Sequence, residues 1–339
     1  MSTNTDLFAA GPAEWEAHPD AAFDTWLTAQ AGRGQSVRMR ASSAEMYRAQ
    51  WRKFLAYVQS HHLVLTRVQD HHVSDFLASL DSENRSQRER YRKLIERVFA
   101  DMHGGKPPRG FCNPAVAAMN ERGAAWKAVS GNRPMTFLHQ AERAKLIACL
   151  RSPVTGDEPT ECWRQLRDRA MVASFLGAGL KVAEALRLTV NCIALENVHW
   201  INIKRPDSQF SHRTSPAPYA IDLLRRWLTE RERSGCLGEL VFPADLEGRP
   251  MHSVTALRAT AALVLESGIS DDRFERASPQ TLRNTFAAEM FEAGESTKSV
   301  ADSFGFAVIL TAERMKASWQ RWRSEHGASR RVDCAPNGR

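Results

Sequence analysis

Apolar residues recur every three or four positions along most of this 339-residue chain, and only between Ile193 and Tyr219 do they alternate instead. A helix repeats every 3.6 residues and a strand every two, so the pattern confines the chain to a mainly α fold (α+β) with one small sheet. Tyr47, Trp51, Phe54, Leu55 and Val58 mark one helix, and Ser42 to Glu45 ahead of them have the spacing of a capping box. Asp70 is placed to cap a second helix that turns Val73, Phe76, Leu77 and Leu80 inward. A third spans about Arg85 to His103 with Tyr91, Leu94, Ile95, Val98 and Phe99 as its stripe, and a further one is expected from Pro114 to Val129. The run Val198 to Ile203, followed by the turn formers Pro206, Asp207 and Ser208, predicts a strand and hairpin.

Glycine and proline divide this pattern. Gly104 to Gly110 reads as a loop, and Ser130-Gly131-Asn132-Arg133-Pro134 as a second break where the domain boundary is placed. Beyond it, helices are expected at about Gln140–Leu150, Asp168–Ala178, Ile221–Ser234, Ser253–Ser267, Pro279–Ala293, Ser296–Phe304 and Thr311–Arg323. The organisation expected is a flexible tail over 1–19, a helical unit over 20–130, a linker over 131–136, a second unit over 137–325 and a basic tail over 326–339. About 20 residues precede the first expected helix, so no separate N-terminal domain is expected. Trp51, Trp163 and Trp227 sit at apolar helical positions and are expected to fill cores.

Composition narrows the function classes. With 43% apolar residues the chain can bury sizeable cores, yet no stretch approaches the roughly 18–20 apolar residues that span a bilayer. Met1 to Asp20 lacks the basic-then-apolar order of a secretory signal. The cysteines (Cys112, Cys149, Cys162, Cys192, Cys236, Cys334) form no C-x-x-C pair, which argues against structural zinc or a disulfide framework and fits a reducing cytoplasm. His61-His62 and His71-His72 match no zinc spacing and read as surface residues. No metal and no cofactor is expected. The net charge of +7 suits a polyanionic partner. On the third helix, Arg85, Arg88, Arg90, Arg92, Lys93 and Arg97 form either a solvated basic face or a surface that rests on phosphates.

Three segments carry chemistry. The first is Phe175-Leu176-Gly177-Ala178-Gly179-Leu180-Lys181-Val182-Ala183-Glu184-Ala185-Leu186-Arg187-Leu188. The second is Ser278-Pro279-Gln280-Thr281-Leu282-Arg283-Asn284-Thr285-Phe286-Ala287-Ala288. The third is Ser303-Phe304-Gly305-Phe306-Ala307-Val308-Ile309-Leu310-Thr311-Ala312-Glu313-Arg314-Met315. In order and spacing they resemble the three boxes of the tyrosine recombinases (phage integrase family): Gly-x-Arg-x-x-Glu-x-x-x-Leu, Pro-His-x-Leu-Arg-His-Thr-Phe-Ala-Thr and Leu-Gly-His-x-x-x-x-Thr-x-x-x-Tyr. The resemblance covers roughly residues 20–325 and implies a helical core-binding (SAM-like) domain followed by a catalytic-type domain with a small antiparallel sheet.

The resemblance also shows what has changed. In the family a tyrosine attacks the scissile phosphate, two arginines clamp its oxygens, a hairpin lysine protonates the leaving oxygen, and histidines assist. Here Met315 stands at the nucleophile position, Lys181 at the first arginine, Gln280 and Asn284 at two histidines and Phe306 at the His/Trp position, while Arg283 keeps its place. A thioether cannot replace a phenol as nucleophile, and no tyrosine lies beyond Tyr219. Lysine lacks the planar fork of arginine. Lys204 is either the hairpin lysine or a surface turn lysine, and Arg283 either grips phosphate or pairs with a helix end or Glu289.

The family implies a C-shaped clamp on double-stranded DNA; the expected contacts are Lys181, Lys204, Arg213, Gln280 and Arg283 in the second unit and, from the basic face of the third helix, Arg88 and Arg92 in the first. Trp319 and Trp322 pack either onto a neighbouring protomer or within the chain. The expected role is an accessory or regulatory factor in DNA recombination or integration, or in maintenance of a mobile element, without strand cleavage. It would act as a homo-oligomer on DNA or beside an active recombinase. The alternatives are an active recombinase with an unorthodox or partner-supplied nucleophile, and a transcriptional repressor using the same grip.

Overall fold

The computed structural model describes residues 11–32, 41–80, 85–103, 109–120, 126, 134–155, 158–204, 211–269 and 277–327. The chain falls into two compact units, Met1–Arg133 and Pro134–Arg339. The Pro206–Ser208 turn, most of the Ser130–Pro134 break and the tail beyond Gly327 lie outside the described residues.

The first unit is helical: α1 (Pro12–Ala17), α2 (Pro19–Gly32), α3 (Ala41–Ser60), α4 (Asp70–Ser79), α5 (Arg85–Asp101) and α6 (Pro114–Asn120). Its core is rich in aromatic rings. Trp51 of α3 stacks on Phe23 of α2 with centroids 5.0 Å apart, and Trp15 of α1 meets Trp51 edge-on at 5.7 Å. Trp15 is 2% exposed, so residues 12–17 belong to the packed unit and not to a flexible tail over 1–19. A six-residue helix is too short to show a period; a proline at its first turn and one buried indole hold it. Gln69, not Asp70, occupies the N-cap of α4. Since α3 already includes Ser42, that residue lies inside the first turn and not at the cap.

The second unit is built around α8 (Pro159–Ala178), whose C-terminal residues from Arg169 to Ala178 are all buried. Around it pack α7 (Gln140–Arg151), α10 (Pro218–Arg233), α11 (Ser253–Glu266) and α12 (Pro279–Glu292). Between α8 and α10 lie the short α9 (Val182–Ala185) and a three-stranded antiparallel sheet of β1 (Ile193–Ala194), β2 (Trp200–Ile203) and β3 (His212–Thr214), in that order. The register sets Ile201 opposite Thr214 and Ile203 opposite His212, all facing the core. The period-2 rule therefore sends Trp200, Asn202 and Arg213 to the other face. The chain closes with α13 (Thr297–Phe304) and α14 (Leu310–Gly327). Trp163 and Trp227 fill the core at 5.1 Å from each other. No helix among the described residues is long and apolar enough to cross a membrane.

Candidate functional site

The site forms where α8 ends. Gly179 caps α8 in the left-handed region (φ 65°), and a Cβ there would come within 2.7 Å of the Phe286 ring. Glycine is therefore required both for the turn and for the close approach. The turn delivers Lys181 to the N-cap of α9, where its amide donates to Glu184 Oε2 at 2.9 Å and its Nζ lies 3.2 Å from Glu184 Oε1. Burial acts to raise the Glu184 pKa. The Lys181 amide and the charges of Arg283, Lys181 and His212 outweigh it and hold the carboxyl below its ordinary value.

Helix α12 starts at an N-cap serine, Ser278, which accepts from the Thr281 amide. Gln280, in the first turn, is exposed and donates to Asn284 Oδ1 at 2.8 Å. Asn284 is buried and donates to the Thr136 carbonyl at 3.2 Å, so it ties α12 to the irregular segment ahead of α7. Arg283 is 2% exposed. Its Nη1 donates to the Gly179 carbonyl and, at 3.3 Å, to Glu184; its Nη2 donates to the Phe304 carbonyl at 3.1 Å. In the structure Arg283 bonds two helix ends, with Glu184 as its acid. Glu289 pairs instead with Arg143, at 2.7 Å.

Helix α13 ends at Gly305, also left-handed (φ 61°), and places Phe306 half-buried beside Phe304 at 5.5 Å. Met315 is 3% exposed on α14, within an apolar cluster that includes Phe286, Phe291, Ala312 and Trp319. The nucleophile position thus points a thioether into a core. Tyr219, the sole tyrosine of this unit, is also buried. Burial first, and then the charge of Glu289, push its hydroxyl well above the ordinary tyrosine value. A phenol buried in the first turn of α10 is disfavoured as an attacking phenolate. Trp319 and Trp322 both pack within the chain, against Phe291 and Phe137.

The hairpin supplies the open cations. Lys204 follows β2 and is exposed; Arg213 on β3 is exposed, with its guanidinium 4.2 Å from the Trp200 ring centre. Trp200 and Arg213 share the outer face of the sheet by strand alternation, and the guanidinium rests over the indole. An open cavity of about 770 Å³ runs past His212, Arg213, Lys298, Ser299 and Phe306.

In the first unit the expected contacts need correction. Arg88 is 8% exposed and donates to the carbonyl of Leu80, the C-cap of α4. Arg92 is 5% exposed and bonds Glu89, Glu96 and the Ala115 carbonyl of α6. Both fall on the same face of α5 as Ile95 and Phe99, so they brace neighbouring helices instead of meeting solvent. Among the described side chains of α5 the exposed cations are Arg90, Lys93 and Arg97, spaced i, i+3, i+7 on one stripe.

Comparison with known proteins fits this geometry. The phage integrase family model matches residues 138–317. Tyrosine recombinase XerC of Shewanella sp. (strain ANA-3) is 24% identical over 161 residues, 47% of this chain and 50% of that protein. XerC of Vibrio parahaemolyticus is 27% identical over 161 residues, 47% and 48% of the two chains. This chain thus spans about half the length of the relatives it matches. Among solved structures, XerH recombinase bound to palindromic difH substrate superposes with TM-score 0.63 at 16% identity, over 91% of this chain and 84% of that one. A lambda integrase tetramer bound to a Holliday junction gives 0.60 at 17% identity, over 86% and 75%. The two boxes that meet at Gly179 and Arg283, the hairpin between them and the family match over more than half of the chain lead to one conclusion: this protein belongs to the phage integrase family of tyrosine recombinases.

Proposed function

We propose that this protein binds double-stranded DNA without cleaving it and serves as an accessory or regulatory factor in recombination or integration of a mobile element. The observation that carries the reading is the burial of Met315, 3% exposed, at the nucleophile position, together with the burial of Tyr219. A strand-cleaving member needs an ionisable nucleophile within reach of phosphate. The fold is retained, and the solved relatives XerH and lambda integrase are described with DNA bound. Exposed Lys204 and Arg213 on the hairpin, partly exposed Lys181 and exposed Gln280 are the groups proposed to meet backbone phosphates in the second unit. Arg90, Lys93 and Arg97 are their proposed counterparts in the first. Such contacts set register and affinity and carry no base readout.

The test is the salt dependence of duplex binding. Each phosphate neutralised adds about −0.9 to the slope of log K against log salt. Affinity that falls steeply with salt, with a smaller slope in Lys204→Gln and Arg213→Gln, is the expected result. Salt-insensitive binding, or none, overturns the proposal.

A further inference from the structure

We propose that Arg283 is a structural staple closed off by Phe304 and Phe306, so that any phosphate at this site is held only by the outer cations Lys181, Lys204 and Arg213. The second half of that statement rests on the DNA-binding reading; the first half stands alone.

The guanidinium is already committed. Its Nη1 and Nη2 donate to the Gly179 and Phe304 carbonyls, and Glu184 balances its charge at 3.3 Å. Gly179 is the C-cap of α8 and Phe304 the last residue of α13, so both carbonyls belong to helix ends that lack intrahelical donors. A phosphate that took the arginine fork would leave two helix-end carbonyls without their donor and would remove one of the two cations that balance Glu184. One side of the group is covered as well, with ring centres of Phe304 and Phe306 at 4.4 and 5.8 Å from the guanidinium carbon and 5.5 Å from each other. The loop that carries Phe306 is pinned: Gly305 needs its positive φ, and a Cβ there would overlap the His212 ring. Arg283 therefore joins the end of α8, the start of α9 and the end of α13, the three places where the family-like boxes meet.

Three measurements on the full chain test this: thermal unfolding, phenylglyoxal labelling of Arg283 read by mass spectrometry, and the salt slope for a random-sequence duplex of about 30 base pairs. In the parent, Arg283 should label at least about tenfold more slowly than Arg233, whose side chain is 71% exposed. Phe306→Ala should speed Arg283 labelling and leave the slope unchanged, because Nη1 and Nη2 stay bonded to the two carbonyls. Arg283→Gln should lower the unfolding midpoint by several degrees and leave the slope unchanged. Arg283 labelling as fast as Arg233, or an Arg283→Gln slope weaker by about 0.9 with an unchanged midpoint, overturns the proposal. If Arg283→Gln fails to fold, labelling of the parent and of Phe306→Ala still decides. If the duplex does not bind at all, the DNA-binding reading fails, while labelling and the unfolding midpoint still judge the staple.

Discussion

Replacing Glu289 by glutamine should stabilise the protein above neutral pH and leave it unchanged in acid. Glu289 lies on α12, with Arg143 of α7 at 2.7 Å, Tyr219 of α10 nearby and Glu292 one turn along the same helix. Burial pushes its pKa from 4.5 up to about 7; Arg143 pulls it down and Glu292 pushes it further up. The folded chain therefore holds this proton more tightly than the unfolded chain. Stability linked to it is fully present below pH 4.5 and is lost as pH rises through about 7. The gap between 4.5 and about 7 corresponds to about 3 kcal/mol of lost stability at pH 8. Glutamine mimics the protonated acid at every pH, and Arg143 lacks a counter-charge in both cases. Unfolding of parent and Glu289→Gln should therefore coincide at pH 4.5. By pH 8 they should separate in favour of the variant by about 3 kcal/mol, or roughly 6–12 °C in midpoint for a unit of this size. The contrary result is a variant less stable than the parent at pH 8. It would mean that the Arg143 pair outweighs desolvation and keeps the carboxylate ionised.

The first unit gives two further expectations. Trp15→Ala should destabilise it by about 3–5 kcal/mol in denaturant unfolding, since α1 is packed through that indole. Arg92→Gln should weaken the same unit by about 1–3 kcal/mol without altering the DNA salt slope, while Lys93→Gln should do the reverse and cut the slope by about 0.9. Met315→Tyr should overpack the α12–α14 cluster by about 1–3 kcal/mol and still give no covalent DNA adduct on gels.

Local patterns made much of this molecule legible. The apolar stripes on α3, α5 and α8 follow from period, and so do the buried Trp51, Trp163 and Trp227. The alternation at Val198–Ile203 led to β2 and left Lys204 at its end. The glycines at 179 and 305 marked the two turns on which the site is built. Misreadings came where charge was taken as exposure. Arg88 and Arg92 lie four apart on the stripe of Ile95 and Phe99, so a helical wheel places them inward despite their charge. The environment of Arg283 was not legible, because Gly179 and Phe304 approach it from distant parts of the chain. A box motif fixes which residue occupies a position and is silent on whether its fork is free. The same holds for Glu289, whose partner Arg143 comes from α7.

On the proposed reading the family fold persists here without strand cleavage. The most direct measurement is a suicide-substrate assay: a nicked duplex carrying the site this protein binds, incubated with the protein and resolved under denaturing conditions. With Met315 and Tyr219 both buried, no covalent protein–DNA adduct should form, with or without a partner recombinase whose own tyrosine has been replaced. An adduct on this chain, mapped by mass spectrometry to any of its residues, would contradict the account.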